Sequence, residues 1–295
     1  MKKFIIKTLT LSIIPVLFIF ATIVTYKHKI NNIKIDDSIH ILISGDSHTQ
    51  TGIDDSKIKN SLNISQTSEH FLYTYNVLKL LLDNNSQLNK VILGVSFHSF
   101  SKVYDKFIHD GDKTIHMFPR YFPILDIESI IDINKLPLME FRGIFKNVVK
   151  GLFNKPEISD YSFIGSFHKS TESNLNDSTI NAAIQRHYYT EKGELYNYSH
   201  YQIKYLNKII ELCNTKNIEL IIINTPIHYN YYKKIPINFL LHYYSTIQQF
   251  GDKIIFWDFF SVDFPIDYYG DGDHLNSTGA EKFSLIISER INEKN

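Results

Sequence analysis

Two short segments carry residue types that could do covalent chemistry together. Gly45-Asp46-Ser47-His48 offers a hydroxyl, and Asp271-Gly272-Asp273-His274 offers an imidazole between carboxylates. A serine hydroxyl is a poor nucleophile near neutral pH and needs an adjacent base. His274 can take its proton, and a carboxylate must then hold the imidazole in the right tautomer. Asp271, three residues earlier on the same loop, can fold back to the ring nitrogen that faces away from Ser47. Asp273 is the runner-up for that role, with a solvent-facing loop position as its ordinary reading. Asp46 reads as a turn or cap residue, and His48 as a surface-loop histidine. Asp267, Asp271, Asp273 and His274 superficially suggest a metal cluster. Their spacing fits neither a calcium loop nor a zinc motif, so no metal is expected. No glycine-rich phosphate loop is present and no cofactor is expected.

The two segments must be brought together by the elements around them. Ser38–Ser44 is a β-branched, apolar run ending at Gly45, which predicts a buried strand with Ser47 just past its carboxyl end. Lys90–Val95, Ile218–Asn224 and Lys253–Phe259 read as further strands. Helices are predicted over Glu69–Leu82, Tyr201–Lys216, Pro236–Phe250 and Ser277–Asn292, with a short one over Asp54–Asn60. Alternation of this kind predicts a parallel α/β sheet. Both segments then fall at its carboxyl edge, where open α/β folds bind ligands. Residues 99–198 exceed a normal connection and are expected to form an inserted cap, lid or subdomain, with a helix near Phe141–Leu152.

Gly-Asp-Ser-His after the first strand, with Asp-x-x-His before the last helix, resembles the SGNH (GDSL-like) hydrolase superfamily. Its membrane-anchored, extracytoplasmic branch linked to polysaccharide O-acetylation is the most similar. The resemblance covers residues 38–98 and 200–292. It implies a three-layer α/β/α fold with a mostly parallel sheet, Ser47 as nucleophile, His274 as general base and Asp271 as the orienting acid. Two departures concern the oxyanion hole. Gln66 stands where the family has Gly, and the Gly94–His98 stretch lacks the family's Asn, so a backbone amide at Gln66, or Ser96 or His98, would have to donate instead. His228, after the third predicted long strand, is a further candidate for the substrate cleft or a structural turn.

The rest of the chain bounds the setting. Lys+Arg and Asp+Glu balance at 31 each, and no nucleic-acid module is recognisable, so no nucleic-acid partner is expected. The one cysteine, Cys213, excludes an internal disulfide and reads as a buried apolar residue on a helix. Leu9–Tyr26 carries no charge, follows Lys2, Lys3 and Lys7, and lacks a small-x-small cleavage site. Residues 1–30 are therefore expected to form a signal anchor with the domain outside the membrane. Residues 31–37 would be a polar linker and 38–295 the catalytic domain. The aromatic residues at His187-Tyr188-Tyr189 and at Tyr196, Tyr198 and Tyr201 are candidates for stacking on sugar rings, or for packing. Two functions fit: an esterase or O-acyltransferase whose partner is an acylated or acyl-accepting envelope glycan, and a catalytically inactive glycan-binding or assembly module.

Overall fold

A computed structural model describes residues 2–109, 111–133, 141–153, 158–171 and 173–293, with the side chains of 2–12, 14–16, 111 and 141 left out. In chain order, the elements begin with α1 (Lys2–Ile30), β1 (Ile41–Ser44), α2 (Ser47–Gly52), β2 (Ser61–Asn63), α3 (Phe71–Asn84) and β3 (Lys90–Gly94). The insertion carries α4 (Lys106–His109), α5 (Gly111–Tyr121), α6 (Ile127–Asp132), α7 (Phe141–Phe153) and α8 (Asp177–Tyr188). The second half runs α9 (His200–Thr215), β4 (Glu219–Asn224), α10 (Tyr229–Tyr232), α11 (Ile237–Gln248), β5 (Ile255–Asp258) and α12 (Ser277–Asn292).

The five strands form one parallel sheet in the order β2-β1-β3-β4-β5. Parallel strands are covered on both faces, and their side chains divide by the two-residue period. Leu42, Val91, Leu93, Leu220 and Ile222 enter one core, shared with α3, α9 and α11. Ile41, Ile43, Ile92, Ile221 and Ile223 enter the other, closed by Phe283 and Ile287 of α12. The expected three layers follow from that division. The strand order reverses between β1 and β3, the switch point at whose carboxyl edge open α/β sheets leave a crevice.

Two glycines let α2 sit in that crevice. Gly45 has φ of +152°, and a Cβ on it would lie 2.3 Å from Thr49 Oγ1. A Cβ on Gly94 would lie 1.9 Å from the same oxygen. The first turn of α2 thus packs directly on the ends of β1 and β3, and this fixes where the Ser47 side chain starts.

The insertion is helical and shares the core of the α3 face: Met117, Phe118, Tyr121, Leu125, Ile144 and Val148 join it. Tyr121 stacks on Tyr73 of α3 at 4.4 Å between ring centroids. Asn76 of α3 donates to Ser129 Oγ (2.8 Å) and accepts from the Asp126 amide (2.9 Å). Asn176 and Thr179 form a capping box that starts α8.

The expected linker at 31–37 is held against the domain. Ile33 and Ile35 are buried, and Asn85 at the end of α3 accepts from the Ile35 amide and donates to the Ile33 carbonyl. The end of α1 is held too. Lys29 Nζ donates to the Gly151 and Leu152 carbonyls at the end of α7 (2.7 and 3.2 Å), as suits a cation at a helix C-terminus. Further up α1, Ile13, Leu17, Phe18, Phe20 and Val24 are exposed. Among the described residues no helix is long and apolar enough to cross a membrane. Several side chains of the Leu9–Tyr26 run lie outside the described residues.

Candidate active site

Ser47 is the first residue of α2, one step past the Asp46 cap. Asp46 Oδ1 accepts from the His48 amide (3.0 Å), so the cap reading of Asp46 holds. The 271–274 loop lies between β5 and α12 and is folded on itself. Asp271 Oδ1 accepts from the Asp273 and His274 amides (2.9 and 2.8 Å). Asn276 caps α12 by accepting from Thr278 and Gly279, one residue before the predicted helix start at Ser277.

The two segments meet. His274 Nε2 lies 2.9 Å from Ser47 Oγ. His274 Nδ1 lies 3.1 Å from each Asp271 carboxylate oxygen. The ring thus stands between a hydroxyl and a carboxylate, and the carboxylate fixes the tautomer that leaves Nε2 free to accept. Burial alone would lower the proton affinity of His274. The charge of Asp273, the Asp271 hydrogen bond and the charges of Asp271 and Asp46 outweigh it, raising the pKa to about 9.

These side chains open on a cleft of about 400 Å³. The insertion supplies much of its wall: Val103, Tyr104, Phe107, Lys113, Arg186 and His187. The cleft thus has apolar, aromatic and cationic surface beside the hydroxyl.

The oxyanion candidates are not in that cleft. The Gln66 amide donates to the Gly45 carbonyl (3.1 Å), because the β1–β2 ladder continues past the strand ends, and its side chain reaches the Ser162 carbonyl. The Ser96 amide is spent on Ser99 Oγ (2.9 Å). His98 is buried, with Nε2 3.3 Å from Asp46 Oδ2. His228 caps α10 by accepting from the Asn230 amide (3.1 Å). It lines a separate hollow of about 360 Å³ with Tyr232, Phe260 and Tyr269. Of the amides at the cleft, that of Thr67 is taken by Gln50 Oε1 (3.0 Å). Ser47, at a helix position with no i−4 carbonyl to supply, and Ser68, with φ of +62°, also line it.

Two further expectations are corrected. His48 is buried, not a surface-loop residue, and Asp273 is buried rather than solvent-facing. One donor atom each from His48, Asp273 and His274 lies within 4.8 Å of the others. Both nitrogens of His274 are already engaged by Ser47 and Asp271, so we read the group as a charged and hydrogen-bonded cluster. Spacing in the sequence gives no sign of it, because His48 and Asp273 come from opposite ends of the chain. The aromatic candidates divide: Tyr188 is buried, Tyr198 is exposed and stacks on His242 with centroids 3.6 Å apart, and His187 lines the cleft. Cys213 is buried on α9, as expected.

A family model matches residues 184–295, less than half of the chain; that stretch contains Asp271 and His274 but not Ser47. No curated protein matches. Solved structures similar to the chain include a proposed platelet activating factor from Streptococcus pneumoniae (12% identity, TM-score 0.41, covering 97% of this chain and 98% of that one). A proposed acylhydrolase from Bacteroides fragilis shows 11% identity and a TM-score of 0.40 over 91% and 95%. A GDSL-like lipase from Bacteroides thetaiotaomicron shows 10% identity and 0.41 over 94% and 100%. At these values the likenesses carry no weight in assigning an activity.

Proposed function

We propose that the protein is a serine-dependent acyl-ester hydrolase or O-acyltransferase. The observation that carries this reading is the line from Asp271 through both nitrogens of His274 to Ser47 Oγ, with spacings of 3.1 and 2.9 Å. In this reading His274 takes the Ser47 proton as Oγ attacks the ester carbonyl, and gives it to the departing alcohol. The acyl-enzyme then passes its acyl group to water or to a sugar hydroxyl. Asp271 stabilises the imidazolium formed in each half-reaction. The substrate we propose is an envelope or exported glycan. The mixed cleft supports it: Phe107 and Tyr104 offer aromatic surface, and Lys113 and Arg186 offer positive charge to an acidic polymer. We further propose that α1 holds the domain at a membrane through the uncharged run Leu9–Tyr26, with the domain on the extracytoplasmic side.

A second reading, a glycan-binding or assembly module that has lost catalysis, is favoured by one observation: the Gln66 amide is committed to Gly45. A fluorophosphonate probe on the full chain in detergent separates the two. Labelling mapped to Ser47, and lost in Ser47→Ala and His274→Ala, supports the enzyme. A folded chain that takes no label supports the module.

A further inference from the structure

Behind the groups that contact Ser47 lies a second tier of titratable side chains that the proposed chemistry leaves unused. The Asp273 side chain is fully buried, and neither of its oxygens has a hydrogen bond of full geometry. Its Oδ1 lies 3.7 Å from His274 Nδ1. Its Oδ2 lies 3.3 Å from His48 Nε2 and 3.7 Å from His187 Nδ1. The His48 ring packs against that of His274, with centroids 4.6 Å apart. A dry carboxylate is tolerated only where facing charge offsets its lost hydration. Among the described residues its ion-pair partners are three imidazoles, with the hydroxyls of Tyr104, Tyr188 and Tyr231 within electrostatic reach.

We propose that Asp273, backed by His48, is a positioning residue for His274: a second carboxylate that keeps the ring aimed at Ser47 and holds its proton. This rests on the proposed role of His274 as the base. The two carboxylates divide the task. Asp271 is partly exposed and spends Oδ1 on two backbone amides as well as on the ring. It sets the tautomer. Asp273 is slightly farther from the ring, 3.7 Å against 3.1 Å, which weakens a Coulomb interaction by about a sixth. Burial lowers the effective dielectric several-fold, so the more distant charge acts more strongly.

The surroundings leave that effect standing. On the α2 side, Asp46 is occupied by the Tyr104 hydroxyl (2.7 Å) and by His98. His98 and His187 stack at 4.2 Å, and burial lowers the proton affinity of both, so neither competes as a cation. The Tyr231 hydroxyl meets His187 Nδ1 at 2.8 Å. Arg186 and Lys113 are the cations on the cleft wall. A base must be unprotonated to accept the Ser47 proton. Raised proton affinity therefore puts the rising limb of activity on the alkaline side, near pH 9.

The test reads His274 directly. Its ring is titrated by 15N NMR in the full chain carrying Ser47→Ala, alone and with Asp273→Asn or Asp271→Asn added. In parallel, kcat/KM for p-nitrophenyl acetate is followed against pH in chains that keep Ser47. The expected result is a His274 midpoint near 9 that falls by about one unit or more in Asp273→Asn, with the rate limb following it. An unchanged midpoint in Asp273→Asn overturns the proposal. Should that variant fail to fold, Asp271→Asn decides: a midpoint still above the ordinary histidine value supports Asp273, and a return to that value overturns it. A chain with no ester turnover speaks against the hydrolase reading, while the NMR midpoints still decide the role of Asp273.

Discussion

The sheet edge and the insertion face each other across one cleft, and they are built on different terms. The edge is closely packed: Ser47 starts from a turn set by Gly45 and Gly94 against Thr49, and His274 stands on a loop closed by Asp271 and capped into α12 by Asn276. The insertion contributes side chains from separate segments: Tyr104 and Phe107 at and just before α4, Lys113 on α5, and Arg186 and His187 on α8. In the function we propose, this difference is a division of labour, with bond-making groups on the sheet and recognition on the insertion. That comparison can be broken by mutation.

The largest effect is expected at the edge. Ser47→Ala or His274→Ala should each lower kcat by about 10⁴-fold or more, with KM little changed, since the members of such a triad act as a unit. Steady-state kinetics on an activated ester measure it. A fall of only a few-fold in either variant would place the chemistry elsewhere.

The insertion should behave in the opposite way. Arg186→Ala combined with Lys113→Ala removes the two cations at the cleft wall. KM for a carboxylate-bearing ester is expected to rise about tenfold, equivalent to about 1.4 kcal/mol, with kcat and the KM for a neutral ester unchanged. Equal losses on both substrates would remove the insertion from substrate selection.

A third change tests the rigidity of the edge without touching a reacting group. Gly94→Ala puts a methyl 1.9 Å from Thr49 Oγ1 and 3.1 Å from its Cβ. Overpacking of this kind costs about 1–3 kcal/mol. Chemical denaturation should show that loss, and kcat should fall because α2 must shift. Full stability in this variant would mean that the α2 turn is not held as tightly as the contacts indicate.

The same contrast governs how much of the molecule is legible in its amino-acid sequence. Four of the five strands are legible, because β1, β3, β4 and β5 are runs of β-branched and aromatic residues. The strand β2, Ser61-Leu62-Asn63, has three residues and one apolar side chain, too little for a period to show. The span of α12 agrees with the predicted one, Ser277–Asn292. In the insertion the pattern is blurred: α5 contains Pro119, and Ile127, Ile131 and Phe153 expose apolar side chains where a soluble helix would carry polar ones. Ser47, Asp271 and His274 are legible because local motifs carry them. The assembly of His48, His98, His187 and Asp273 is not, since it draws one residue from each of four segments that only the folded sheet brings together. The oxyanion candidates fail for a related reason: a sequence orders the amides along a loop but does not say which carbonyl each one meets.

The last expected effect is read against pH and lies where the two regions join. Glu69, just before α3, is buried, and its Oε1 accepts from the Tyr121 hydroxyl of the insertion (2.8 Å). Burial pushes its carboxyl up to about 8, against the opposing hydrogen bond from Tyr121. In the unfolded chain the same group titrates near 4.5. Between these values the folded state binds more protons than the unfolded one, so stability falls as pH rises from about 4.5 to about 8. Glu69→Gln keeps an acceptor for Tyr121 and removes the titration. Its unfolding midpoint should match that of the parent near pH 4.5 and exceed it at pH 8. Parallel pH curves for the two chains would mean that water reaches Glu69, and that the seam between α3 and the insertion opens in solution.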